Sequence, residues 1–254
     1  MDTNATIISI HEDLIDFGSE LQSASAKKLG ASNHIGNCVY TALYKMCAYA
    51  ITLHRAVLSL CEAGWTPITA ILLRTIMECT ANCLAIVNNA CPEYMAFKYL
   101  YHPYLQIIRD TGYPEDKKKK AKIDLEQGLK NLLDEMVREN AKRYIESDRI
   151  DIFWFKPEEA GVSKIINNYG NTELNFLYGA LSMSAHAGHL GMFLFKDDPD
   201  EIVINPSDNP EKEKTSLIAS CRLLLELLLI RNDYEDLGFD SSNDSFMERI
   251  LATE

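Results

Sequence analysis

The chain lacks the short motifs that identify many enzyme classes from sequence alone. It contains no glycine-rich phosphate loop, so P-loop and dinucleotide-binding folds have no support. It contains no Gly-x-Ser-x-Gly segment, which argues against a serine hydrolase built on a nucleophile elbow. Neither His-Glu-x-x-His nor Glu-x-x-His occurs, and the di-iron helical bundle needs two copies of the second motif. We therefore assign no metal and no cofactor from motifs.

Paired cysteines and targeting segments are also missing. The seven cysteines are odd in number, include no Cys-x-x-Cys, and mostly lie in apolar helical patterns. This distribution predicts reduced, buried thiols in a reducing compartment. Acidic residues such as Asp2, Glu12 and Asp13 stand where a signal peptide would be basic. The apolar run from Leu217 to Ile230 is too short to span a bilayer. We expect a soluble, cytoplasmic protein with no membrane segment.

Positive charge is scarce relative to negative charge. The chain has 25 Lys and Arg residues against 37 Asp and Glu residues, which gives a net charge of −12. This balance disfavours non-specific attraction to DNA, RNA or anionic lipid. The basic run Lys117 to Lys120 lies among Glu115, Asp116 and Asp124, so a solvated helix face is its favoured interpretation.

Apolar residues recur at helical spacing along most of the chain. The pattern predicts an all-α bundle of about seven helices, with one domain over residues 1–238 and a polar tail over 239–254. Residues 67–90 are apolar on most sides, which predicts a central helix enclosed by neighbours. Residues 115–145 read as one helix. The β-branched run within residues 193–209 allows a small hairpin.

Two pairs of opposite charge interrupt apolar helices. Arg74 and Glu78 are four residues apart among large apolar side chains, and Arg222 and Glu226 repeat the arrangement. Buried charges are costly unless they are paired and hydrogen-bonded. Each pair is interpreted either as a structural ion pair that fixes helix register or as part of an interior site that binds a ligand. The structural interpretation is favoured, because structural ion-pair networks also produce such patterns.

A second polar stripe lies on a later helix. Tyr178, Ser182 and His186 recur every fourth residue, and His189 lies one turn further on. Small residues around them would let another helix or a ligand approach closely. His186 and His189 could both reach one metal ion, but a hydrogen-bonded core histidine is the favoured interpretation.

These two segments resemble a known family. Gly64, Ala70, Arg74, Thr75 and Glu78 form the pattern Gly-x5-Ala-x3-Arg-Thr-x2-Glu, and Tyr178-x3-Ser182-x3-His186 follows about a hundred residues later. The chain resembles a bacterial, all-helical family of unknown function with an Arg-Ser/Thr-x-x-Glu helix and a later Ser-x-x-x-His helix. The resemblance implies an association with phage defence or toxin systems.

That association brings compact helical ribonucleases into consideration. Their Arg-x4-6-His motif would begin here at Arg231-Asn232, but no His follows at an allowed distance, nor after Arg74. The leading hypothesis is therefore a helical binding or effector module. In it, Arg74, Glu78, Tyr178, Ser182 and His186 bind a small anionic ligand or nucleotide.

Two alternatives remain open. In the first, the protein is a hydrolase acting on RNA or a nucleotide, with His186 as general base, Arg74 as phosphate clamp and Glu78 as orienting group. The case for RNA is weak because the net charge is acidic. In the second, the chain is a structural homo-oligomer without a ligand.

Overall fold

A computed structural model describes residues 3–31, 37–147, 162–170, 172–185 and 210–253. Within these ranges the chain forms ten helices and no strand. The helices are α1 (Thr3–Ala31), α2 (Cys38–Glu62), α3 (Thr66–Val87), α4 (Pro92–Arg109), α5 (Glu115–Asn131), α6 (Glu135–Glu146), α7 (Val162–Tyr169), α8 (Thr172–Ala185), α9 (Pro210–Glu235) and α10 (Asp240–Leu251). The all-α class is confirmed. The hairpin predicted within residues 193–209 lies outside the described residues.

The prediction of about seven helices is wrong, and local capping explains part of the difference. The single helix predicted over residues 115–145 breaks into α5 and α6, because Leu132 turns to an extended conformation and is fully buried. Asp134 then starts α6, where its side chain accepts a hydrogen bond from the backbone N–H of Val137 at 2.9 Å. The periodic apolar stripe continues across this break and conceals it.

The segment predicted as a polar tail contains α10. Its Phe246 ring lies 5.3 Å from the Phe17 ring of α1, and Ile250 is 1% exposed. Arg249 donates a hydrogen bond to the Asp13 carboxylate of α1 at 2.6 Å. One buried and one partly buried apolar side chain, together with one ion pair, therefore hold this short helix against the bundle, although its sequence is mostly polar.

Helices α2, α3 and α9 form the centre of the bundle. Helix α3 contacts α2 and α9, and it also contacts α7 and α8. Helix α9 contacts α1, α2, α3 and α10. The segment Leu223–Leu225 of α9 is fully buried, as are Leu227 and Leu228. Apolar residues around most of the circumference of α9 thus match its enclosure by neighbours, whereas the N-terminal part of α3 is partly open to solvent, with Ile68 40% and Ile71 45% exposed. Six of the seven cysteines are buried and all seven are free, as the sequence predicted.

Helix α3 also satisfies a simple test for a membrane span. Within the described part of the chain, one stretch, Ile68–Val87, is long and apolar enough to cross a bilayer by length and composition. More than half of it is buried inside the protein. A core helix of a soluble protein passes the same test, so this observation is weak evidence for a membrane location.

Candidate functional site

Arg74 and Glu78 form the ion pair that their spacing predicted. The Arg74 Nε donates to the Glu78 Oε1 at 3.2 Å within α3. The two side chains are 29% and 40% exposed, so the pair lies at the margin of the bundle and the expectation of an interior position is wrong. Solvent screening makes such a pair a minor source of stability. A partly exposed guanidinium is instead accessible to an anion.

The helix that carries the second predicted stripe packs directly against α3. Helix α8 contacts α3, and its Leu174 and Leu181 are buried in the shared core. Tyr178 is half-buried and packs against the same core. Ser182 lies one turn further along α8. The structure therefore brings together the two helices that carry the motifs, whereas His186 and His189 lie outside the described residues.

The second predicted pair, Arg222 and Glu226, lies on α9 with both side chains half-buried. Burial lowers the pKa of the Arg222 guanidinium from its ordinary value. Burial, together with the Asp233 carboxylate, raises the pKa of Glu226. Both shifts disfavour the charged form, which is the cost expected for charges placed in an apolar helix.

A third pair on the same helix is the fully buried one. The Arg231 Nε donates to the Glu235 Oε1 at 2.8 Å, and both side chains are 0% exposed. In the sequence, Arg231 is notable only as the start of an incomplete Arg-x4-6-His motif. The same i, i+4 spacing and the apolar residues that precede Arg231 would have identified this pair as readily as the other two.

Side chains from α1 and α2 surround this buried pair. The Arg231 guanidinium lies over the Tyr44 ring of α2, 5.4 Å from its centroid. Lys28 of α1 donates to the backbone carbonyls of Glu235 and Asp236. Burial raises the pKa of the nearby Cys47 thiol to about 11, although the positive charge of Arg231 opposes the shift. The pair thus lies where the C-terminal end of α9 meets α1 and α2.

A cluster of metal-binding residue types lies elsewhere in the core, where α1, α2 and α9 meet. His11, His54 and Cys221 come from these three helices, each of which contacts the other two. Their exposures are 0%, 0% and 1%. One ligand atom from each side chain lies within 4.8 Å of the other two. The two imidazole rings are stacked, with centroids 3.9 Å apart and an interplanar angle of 5°.

Burial keeps this histidine–cysteine cluster in its neutral form. Desolvation lowers the pKa of His11 to about 4, against a smaller opposing effect of its hydrogen bond to Leu217. Desolvation also lowers the pKa of His54 well below its ordinary value, and the charge of the His11 ring adds to this shift, whereas the backbone groups of His11 and Ser220 oppose it in part. Burial raises the pKa of the Cys221 thiol, and Arg249 opposes that shift in part. At neutral pH both rings are therefore uncharged.

Neither His11 nor His54 was predicted from the sequence as a site residue. Each occupies a position on a buried apolar stripe: His11 follows Ile7 by four residues, and His54 precedes Val57 by three. Polar residues on an otherwise apolar helix face are a detectable signal. That signal does not show that the two histidines meet, because the residues are distant in sequence and their proximity depends on helix packing.

Helices α5 and α6 also line a surface cleft of about 460 Å³. Its lining residues are Glu126, Leu129, Lys130, Arg138 and Lys142. Two of its three basic groups have acidic partners: Arg138 pairs with Glu135, and Lys142 pairs with Glu139. This cleft is therefore a solvated surface on which basic and acidic groups lie side by side.

Comparison with known proteins identifies a family. The family described as "Family of unknown function (DUF5677)" matches residues 40–202, which is more than half of the chain. The chain belongs to this DUF5677 family. No curated protein and no solved structure gives a match. The segment matched by DUF5677 contains α3, α8 and both predicted motifs, whereas His11, Cys221, Arg231 and Glu235 lie outside it.

We predict that the metal-free protein becomes less stable as pH falls from 6.5 to 4. The unfolded chain binds a proton at His11 near pH 6.5, whereas the folded chain resists protonation until about pH 4. The contribution of His11 should therefore lower the free energy of unfolding by about 3 kcal/mol across this window, and it should be absent above the window. Urea denaturation in the presence of a chelator measures the change.

His11→Leu provides the control. Between pH 6.5 and 4, the unfolded state of the unaltered chain binds more protons than the folded state, and this difference should be smaller by about one proton in the variant. His54 acts in the same direction, so part of the pH dependence should persist in this variant. An unfolding free energy that stays constant between pH 6.5 and 4 would contradict the neutral, sealed state of the two rings.

Proposed function

We propose that the protein is a helical ligand-binding module whose site lies on α3 beside α8, with Arg74 as the anion-binding residue. The observation that supports this proposal most directly is the contact between the two motif helices, α3 and α8. Residues about a hundred positions apart in sequence are thereby placed on adjoining elements.

The electrostatics of Arg74 support the same assignment. The Arg74 Nε donates its hydrogen bond to Glu78. The planar guanidinium has further N–H groups, which can bind a carboxylate or phosphate in a bidentate manner. Glu78 holds the guanidinium in one orientation from the next turn of the same helix. Arginine in this setting favours a small anionic ligand or a nucleotide over a neutral one.

Helix α8 would supply the remaining contacts. Tyr178 offers an aromatic face with a hydroxyl group, whereas Ser182 belongs to the proposal on sequence grounds, as a small hydrogen-bonding residue type. A methyl group added at Gly179 would meet no atom of the described residues within 4 Å, so these residues leave space beside this part of α8. His186 and His189 belong to the proposal on sequence grounds alone, as a pH-sensitive contact and a further ligand contact.

The hydrolase alternative depends on His186 as its general base. The described residues add no group that favours the hydrolase over the binding module. The pairing of Arg74 with Glu78 is compatible with either function. We therefore propose binding as the function and treat cleavage of RNA as an outcome that the experiment below would reveal.

We further propose that the protein is cytoplasmic and forms a homo-oligomer. Exposed apolar side chains on the helices beside the site support an interface: Ile68 is 40% exposed, Ile71 is 45% exposed and Phe176 is 75% exposed. We expect light scattering after size exclusion to give a mass above 28.7 kDa, and Phe176→Asp to lower it. A monomeric mass for the unaltered chain would contradict this proposal.

Anion binding tests the proposed site. We expect AMP or inorganic pyrophosphate, titrated by calorimetry, to bind the unaltered chain, and Arg74→Gln to weaken binding about tenfold to hundredfold. The expected size follows from the loss of charge-assisted hydrogen bonds, each worth about 1.5–3 kcal/mol. Incubating the same samples with a labelled RNA, with and without a divalent metal ion, tests the hydrolase alternative.

Arg138→Gln is a matched control. Arg138 has the same exposed fraction as Arg74, 29%, and also pairs with a glutamate on its own helix. It lines the surface cleft between α5 and α6, so it reports on anion binding at that site. Equal loss of binding in both variants, or loss in Arg138→Gln alone, would place anion binding away from α3. RNA cleavage by the unaltered chain that His186→Ala abolishes would replace the binding proposal with the hydrolase.

A further inference from the structure

We propose that His11, His54 and Cys221 form a binding site for a thiophilic metal ion, Zn²⁺ or Cu⁺, in the core of the bundle. This inference is independent of the ligand site on α3, because it rests on different residues, which lie on α1, α2 and α9. Three observations support it: the donor types, the hydrogen bonds that orient the rings, and the buried nitrogen atoms left without a partner.

The donor set is typical of transition-metal sites. Two imidazole nitrogens and one cysteine sulfur are common ligands of both zinc and copper. Here one ligand atom from each side chain lies within 4.8 Å of the other two, on three separate helices. Ligands about 2.0–2.3 Å from a central ion are separated from one another by less than twice that distance. The three side chains are therefore already close to the spacing that an ion requires.

Hydrogen bonds orient the histidines as they do in metal sites. The His11 Nε2 lies 2.9 Å from the backbone carbonyl oxygen of Leu217. A carbonyl group can only accept, so Nε2 carries the proton and Nδ1 presents its lone pair. The His54 Nδ1 lies 2.7 Å from the Ser220 hydroxyl, which can accept the Nδ1 proton and leave the lone pair on Nε2. Metal-binding histidines are oriented in this way through their second nitrogen.

The two nitrogens that remain are buried without a partner. The His11 Nδ1 and the His54 Nε2 make no hydrogen bond within the described part of the chain, although both residues are 0% exposed. An unsatisfied polar atom in a core is costly, so its presence calls for a physical explanation. These are also the two nitrogens whose lone pairs the observed hydrogen bonds leave available. A metal ion would satisfy both at once.

The charge of the site bears on which ion it accepts. A metal ion binds the thiolate form of cysteine, so binding would release the Cys221 proton. One thiolate with Cu⁺ gives a neutral site, whereas one thiolate with Zn²⁺ leaves a single positive charge in a buried position. Zn²⁺ would also recruit a fourth ligand, such as water, to complete a tetrahedral site. The experiment therefore tests the two ions separately.

Binding also requires a local movement. A metal ion lies in the plane of an imidazole ring that binds it, along the lone pair of the nitrogen. The His11 and His54 rings are parallel and stacked, with centroids 3.9 Å apart, so one ring must tilt to share an ion with the other. We expect the stacked arrangement to be lost when the ion binds.

Metal titration of the full chain tests the proposal. The protein is stripped with a chelator under reducing conditions and titrated with Co²⁺, which substitutes for Zn²⁺ and has visible spectra. We expect one ion per chain, a thiolate-to-cobalt charge-transfer band in the near ultraviolet, and displacement of Co²⁺ by Zn²⁺. A parallel anaerobic titration measures competition for Cu⁺ against a coloured Cu⁺ chelator. Success in either titration supports the site and identifies its ion.

Variants assign the ligands. Cys221→Ser should abolish the charge-transfer band and weaken binding at least about tenfold, and Ser220→Ala should weaken binding about tenfold through loss of ring orientation. Cys61→Ser is the matched control, because Cys61 is also buried, at 3% exposure, and lies outside the cluster. If Cys221→Ser fails to fold, as judged by circular dichroism, His11→Gln replaces it.

Two results would overturn the site. The first is an unaltered chain that shows no thiolate band with Co²⁺ and does not compete for Cu⁺. The second is a Cys61→Ser variant that loses binding as completely as Cys221→Ser. Neither result bears on anion binding at Arg74, so failure here is distinguishable from failure of the proposed function.

Discussion

The buried ion pair between Arg231 and Glu235 constrains the position of the central helix α9 along its axis. Both side chains are fully buried, and breaking such a pair would leave an uncompensated charge in the core. Lys28 of α1 binds the carbonyl groups at the end of α9, and Tyr44 of α2 covers the guanidinium. A shift of α9 along its axis would disrupt all of these contacts together, so they fix its register against α1 and α2.

That register also sets which residues in the N-terminal half of α9 face α1 and α2. Cys221 lies ten residues before Arg231, about 15 Å along the axis, and it is this position that meets His11 and His54. Helix α9 also contacts α3, whose outer face carries Arg74. One helix thus links the histidine–cysteine cluster to the ligand site proposed on α3, although the two sites use different chemistry and different parts of the chain.

Much of the fold could be predicted from the sequence, because apolar periodicity reports directly on helix faces. The ion pair of Arg74 and Glu78 was predictable for the same reason, since it is local. The split at Leu132 was not, because the apolar stripe runs through it. The meeting of His11 with Cys221 was also beyond sequence reasoning, since no local pattern specifies which helices become neighbours or in which register.

Urea denaturation of Arg231→Met and of the double variant Arg231→Met/Glu235→Leu tests the role of the buried pair most directly. The single variant leaves Glu235 charged and unpaired in the core, so we expect its free energy of unfolding to fall by about 3–5 kcal/mol. The double variant removes both charges and should recover most of that loss. A single variant within about 1 kcal/mol of the unaltered chain, or a double variant less stable than the single one, would contradict this account.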